Sequence, residues 1–447
     1  MKKLIWLVVI LLTTQLLPAQ SIKRIGDRIK RKIENKTSEK IEKEIDKAVD
    51  GESAKNTKKQ KEESSESDEG TSVKKNAGNN NENEDDETTS EAPGSSSGSL
   101  ASYSKFDFIP GEKIIAFGNF ERDAIGDFPV NWNTNATAEI VSLSNKPGHW
   151  MKINKEGTFH PEFIKEIPEN FTLEFDLAHN SKYSYYSSDL ALMIGHLTEF
   201  DNFKDLGYYP RVGDNEAIRI SLHPTSAGNK NSRVAYYVSD KGNHRLDGSV
   251  EPTSWNNHSK AFAHISIWRQ KTRMRIYVNE EKVFDVPKAF DMNSAYNSIV
   301  FSNNGMHNNE DFYVINNIRL AVGAPDTRNK LITEGKFVTR GILFDVNSDK
   351  IKPESYGVLK DIAAVLNENP TIKISIIGHT DADGEDAANL DLSKRRAESV
   401  KQALKNEFKV ETSRIETDGK GESQPVDKND SESGKANNRR VEFIKNN

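Results

Sequence analysis

Two charged residues of this chain stand where they could do chemistry together. Arg396 lies four residues after Leu392 and four before Val400, so helical periodicity puts a guanidinium on an otherwise apolar stripe. A buried charge without a partner is very costly. Asp381 follows directly on the β-like run Ile372 to Ile377, at the carboxyl end of a strand beside that helix. Two readings stay open on spacing alone. The pair is a structural salt bridge, or it is bridged by a ligand carrying both an ammonium, taken by Asp381, and a carboxylate, forked by Arg396.

Other chemistry-bearing residues point nowhere as definite. The run Asp381-Ala382-Asp383-Gly384-Glu385-Asp386 has its glycine at position four, where an EF-hand loop needs it at six. Glu174 and Asp176 resemble the paired carboxylates of a glycosidase, but Ala178 and His179 stand where a third acid would follow. Both acids are read as the solvated face of a strand. The ten histidines form no HExxH pair, and Gly419-Lys420-Gly421 lacks the setting of a phosphate loop. With no cysteine in the chain, thiolate sites and disulfides are excluded. No metal, cofactor or catalytic residue is expected, and the chain reads as non-enzymatic. With 62 basic against 68 acidic residues there is no basic field for nucleic acid.

The elements that must position Asp381 and Arg396 occupy residues 326–447. Gly341 to Val346 reads as a strand, and Pro353 opens a helix carrying Tyr356, Leu359, Ile362 and Leu366. Ile372 to Ile377 is a second strand, and a second helix begins near Asp391. Strands at Arg414 to Thr417 and Arg440 to Ile444 complete an α/β sandwich. Residues 103–325 instead show short alternating runs bounded by Gly, Pro, Asn and Asp, such as Phe171, Leu173, Phe175 and Leu177, which predict an all-β sandwich of roughly a dozen strands. Its aromatics Tyr183, Tyr185, Tyr186, Tyr208, Tyr209, Trp255 and Trp268 either stack on sugars or fill the core. A membrane barrel is disfavoured, because the runs are short and their outward positions are charged.

The segments "GILFDVNSDKIKP", "IIGHTDADG", "NLDLSKRRAESVKQAL", "RIETDGKGESQPVDKN" and "ANNRRVEF" resemble, in order and spacing, the motifs of the OmpA-like, peptidoglycan-associated domain family. That resemblance implies a domain that holds the diaminopimelate of the peptidoglycan stem peptide without cleaving it. Carried over residue by residue, it implies that Asp381 and Arg396 grip the amino and carboxylate groups and that Asn347 and Asn389 add polar contacts. Asp345, Thr380, Leu392 and Arg440 then line or support the same pocket. Lys435 stands where that family commonly has an arginine. The segment "RMRIYVNEEKVFDVP" is similar to the strand-turn-strand of concanavalin-like and laminin-G-like jelly rolls.

The first hundred residues read differently. Residues 1–19, with Lys2 and Lys3 before an apolar run, predict a secretory signal peptide. In 20–50 the isoleucines at 22, 25, 29, 33, 41 and 45 make one stripe of an otherwise charged helix, suited to self-association or an anionic surface. Residues 51–102 hold too few apolar side chains to fold and predict a disordered acidic linker reaching about 40 Å. The expectation is a multidomain protein of the periplasm, associated with the outer membrane and wall, that binds peptidoglycan. The alternative makes the β-sandwich the functional module, binding a glycan or an outer-membrane protein, with the C-terminal domain only an anchor.

Overall fold

The computed structural model describes residues 106–197, 199–204, 217–226, 231–240, 243–256, 260–323 and 326–446. The expected signal peptide, amphipathic helix and linker, and Tyr208 and Tyr209, lie outside the described residues.

The middle of the chain is a sandwich of two antiparallel sheets. One runs, in spatial order, Glu281–Val286, Arg273–Val278, Phe262–Gln270, Asn170–His179, Tyr313–Val322, Lys146–Ile153 and Glu139–Leu143, with Lys113–Gly118 also paired to Tyr313–Val322. The other runs Asn243–Val250, Arg233–Asp240, Ala217–His223, Leu190–Gly195, Ser298–Asn303, Gly157–Pro161 and Trp132–Thr134. Period-two alternation explains which face each residue takes. Phe171, Leu173, Phe175 and Leu177 point inward and share one core with Leu192, Ile194, Ile220, Ile265, Ile267 and Phe301 of neighbouring and facing strands. Two-residue turns suit the twist of a hairpin, and Asn279, at φ 53°, makes one between Arg273–Val278 and Glu281–Val286. Of the aromatics that could meet sugars, Tyr183 and Trp255 are core residues, whereas Tyr185 and Tyr186 are exposed.

The C-terminal domain has a four-stranded sheet in the order Lys336–Thr339, Val441–Asn446, Lys373–Gly378 and Ile415–Gly419, the last pair parallel. Helices α1 (Tyr356–Glu368), α2 (Asp386–Phe408) and α3 (Glu432–Asn438) accompany it. Two expectations need correction. The segment Gly341 to Val346 is not a strand. The edge strand ends at Thr339, whose hydroxyl accepts the Gly341 N–H at 3.0 Å, and Leu343 then bonds to Lys352 and Ser355 rather than to the sheet. Helix α2 starts at Asp386, more than a turn before Asp391; its first turn, Asp386-Ala387-Ala388-Asn389, has no large apolar side chain to mark a stripe.

The two domains share a broad contact. Phe106 and Phe108 pack on Tyr277 and Trp268 of the sandwich, while Ile109 joins the core of the C-terminal domain. Asn437 of α3 exchanges two hydrogen bonds with the backbone of Ile114, at 3.0 and 2.9 Å, and Arg122 pairs with Glu432 at 2.7 Å. Beside these contacts the C-terminal domain faces the outer side of the strand Asn170–His179 across a shared cavity. Glu174 and Asp176 are therefore 2% and 4% exposed, not solvated as expected from their sequence pattern.

Candidate ligand-binding site

The site begins with a glycine. A Cβ on Gly378 would lie 2.2 Å from the Ser393 carbonyl, so only glycine lets α2 close on the end of the strand Lys373–Gly378. That approach carries Arg396 toward His379, Thr380 and Asp381. Gly378→Ala is expected to destabilise the fold by about 1–3 kcal/mol, the usual range for overpacking, read as a lower urea midpoint. An unchanged midpoint would mean that the helix yields freely.

All eight residues named from the sequence line one cavity of about 440 Å³: Asp345, Asn347, Thr380, Asp381, Asn389, Leu392, Arg396 and Arg440. They do not play equal parts. Asp381 and Arg396 face the same space without bonding each other. Asp381 pairs with Arg439, while Arg396 donates to the Ser348 carbonyl at 3.0 Å and lies 4.9 Å over the Phe344 ring. The direct salt bridge between Asp381 and Arg396 offered by spacing is thus corrected to Asp381–Arg439. Burial, with Arg439 nearby, lowers the pKa of Arg396 to about 10, against the opposite pull of Asp381.

Asn389 sits within the first turn of α2, not before the helix as expected. Its amide donates to Glu422 at 2.6 Å and to the Asp383 carbonyl at 3.0 Å, which ties down the loop bearing Asp381. Arg440 spends its donors on Glu442 at 2.9 Å and on the Gln424 and Asn438 carbonyls at 3.0 and 3.3 Å. It is a support. The Thr380 hydroxyl is buried without a hydrogen-bond partner among the described residues. Asn347 is exposed at φ 51° at the tip of the loop between Asp345 and Lys350, and Asp345 lies 3.5 Å from Lys350. Lys435, in place of the family's arginine, pairs with Asp383.

Sequence reasoning missed the other wall of this cavity, which the sandwich supplies through Glu174, Asp176, His264, Asn317 and Arg319. Register assembles them. His264 lies opposite Asp176 on one neighbouring strand, and Arg319 lies opposite Glu174 on the other. A bulge between Asn316 and Arg319 turns Asn317 to φ 52°, and its amide donates to Asp176 at 2.7 Å. His264 Nδ1 meets Asp176 at 2.7 Å and Nε2 meets Glu174 at 3.4 Å. Burial alone would lower the His264 pKa, but these carboxylates raise it to about 10, so the ring carries a proton at neutral pH. Only cross-strand register could have found this cluster. Arg439 was within reach, since it stands in the quoted "ANNRRVEF" segment.

The described residues contain no cluster of histidines and acids able to hold a metal ion, and no helix among them is long and apolar enough to cross a membrane. Chemically, the cavity offers charge-assisted capture of a ligand bearing both signs.

Comparison with known proteins agrees in extent with the C-terminal motifs. The model of the OmpA family matches residues 343–439. Outer membrane porin F of Pseudomonas aeruginosa is 43% identical over 101 residues, 23% of this chain and 29% of that protein. The probable lipoprotein YiaD of Escherichia coli is 38% identical over 127 residues, 26% of this chain and 58% of that protein. A crystal structure of the peptidoglycan-associated lipoprotein from Burkholderia pseudomallei is 30% identical over 24% of this chain and 88% of that one, at a TM-score of 0.22. The chain therefore spans 29% to 58% of these curated relatives' own length. The part of the chain similar to the OmpA family is its C-terminal domain, residues 343–439.

Proposed function

We propose that this chain is a non-enzymatic protein of the cell envelope that binds peptidoglycan without covalent attachment. It grips the free end of the stem-peptide diaminopimelate, and so ties the outer membrane or a periplasmic partner to the wall. The observation that carries this reading is Arg396, a largely buried guanidinium with no carboxylate within pairing distance among the described residues, in the same cavity as Asp381. Arg396 is then the receptor of the ligand carboxylate, and Asp381, already oriented by Arg439, receives the ammonium. The relatives named as outer membrane porin F and probable lipoprotein YiaD support an envelope role and a place at the outer membrane.

The full chain is expected to pellet with purified sacculi that contain diaminopimelate and to stay in solution with sacculi whose stem peptides carry lysine at that position, since lysine lacks the second carboxylate. Equal retention on both would contradict capture through the zwitterionic end.

A further inference from the structure

The sandwich wall of the cavity carries a group with more donors than its neighbours use. Arg319 is 5% exposed and lines the cavity, yet its Nε and Nη2 are buried without a hydrogen-bond partner. Among the described residues its one ionic contact, to Glu174, is 3.7 Å long, and the Glu174 oxygen concerned has no hydrogen bond either. A guanidinium has five donors in a planar fork, and burying it with so few satisfied is unfavourable. Asp176 is already served by His264 and Asn317, and the other Glu174 oxygen by His264, so the long contact to Glu174 leaves most of the Arg319 fork open. Arg439 and Arg340 lie close enough to repel Arg319, and a carboxylate placed against its open donors would relieve that repulsion.

We propose that the sandwich completes the ligand site: Arg319 takes a second carboxylate, at the other end of the diaminopimelate whose zwitterionic end lies between Asp381 and Arg396. This rests on the peptidoglycan reading above and sharpens it. The carboxylate at that other end is free when the stem peptide terminates at diaminopimelate and is consumed in an amide when D-alanine follows. The site therefore selects trimmed, tripeptide stems over longer ones, and the selecting residue lies outside the OmpA-like domain. The cavity, at about 440 Å³, falls within the range that encloses a small ligand on most sides.

The test is calorimetric titration of the full chain with L-alanyl-γ-D-glutamyl-meso-diaminopimelate and with the same peptide extended by D-alanine. Wild type is expected to bind the tripeptide about tenfold more tightly, the scale of one charge-assisted contact. Arg319→Gln should erase that preference by weakening only the tripeptide, and Arg319→Lys, which keeps the charge, should restore part of it and guards against a variant that fails to fold. Arg396→Gln should weaken both peptides. If Arg319→Gln keeps the tenfold preference, or weakens both peptides equally, Arg319 is only a structural counter-ion and the proposal is overturned while the peptidoglycan reading stands. If wild type binds neither peptide, both fall together.

Discussion

Arg396→Ala is expected to lose retention on diaminopimelate-containing sacculi by a factor of about 100 or more, without loss of stability. The binding loss follows from removing a bidentate, charge-assisted receptor. The stability expectation comes from what Arg396 does in the free protein. It is largely buried, makes one hydrogen bond to a carbonyl and has no bonded carboxylate, and burial lowers its pKa to about 10. The cost of burying this charge outweighs the pull of the nearby Asp381, so its loss offsets the lost contacts to Ser348 and Phe344. A structural salt bridge predicts the opposite, about 3–5 kcal/mol of lost stability on breaking the pair. Thermal melting of the variant beside a pelleting assay separates the two. A variant that melts well below wild type would assign Arg396 to packing. Asp381→Ala differs in kind, because it leaves Arg439 without its partner. Part of its loss of binding therefore comes with a loss of stability.

The second large effect lies in the sandwich. His264→Gln is expected to cost about 3–5 kcal/mol at pH 6, because it leaves Glu174 and Asp176 buried side by side with only Arg319, Asn317 and the more distant Lys352 to answer them. The pH dependence has a definite sign. The folded-state pKa of His264 is raised to about 10 from an ordinary 6.5. Below pH 6.5 both states hold the proton and the stabilisation is complete. As pH rises from 6.5 toward 10 the unfolded chain releases the proton while the folded one keeps it, so the contribution declines and is gone above about 10. The gap in urea midpoint between wild type and variant should therefore narrow from pH 6 to pH 9.5. A gap that does not change with pH would mean that the ring is neutral and its role is packing.

This cluster marks where the sequence stops being readable. Alternation along Phe171 to Ala178 correctly divides the strand into two faces, and the inner face is the core of the sandwich. The same pattern made Glu174 and Asp176 look solvated, since a polar face of a strand ordinarily meets water. What buries them is a second domain roughly two hundred residues further on, docked through Asn437 on Ile114 and through Phe106 and Phe108. No local period records that docking. The eight residues named from the sequence share a cavity because they sit in contiguous motifs at the ends of strands and on one helix. Those motifs bring them to one cavity, as spacing suggested for Asp381 and Arg396. The bonded partners were less legible. Arg439 displaced Arg396 as the partner of Asp381, and the segment Gly341 to Val346 turned away from the sheet to bond with Lys352 and Ser355.

Capture of the free end of diaminopimelate between Asp381 and Arg396, as proposed, is open to competition by the free amino acid. Competition by free meso-diaminopimelate for the full chain bound to sacculi tests it most directly. Release of the protein at rising meso-diaminopimelate, with no release by L-lysine at the same concentration, is the expected result. Protein that remains on the sacculi at saturating meso-diaminopimelate would contradict it.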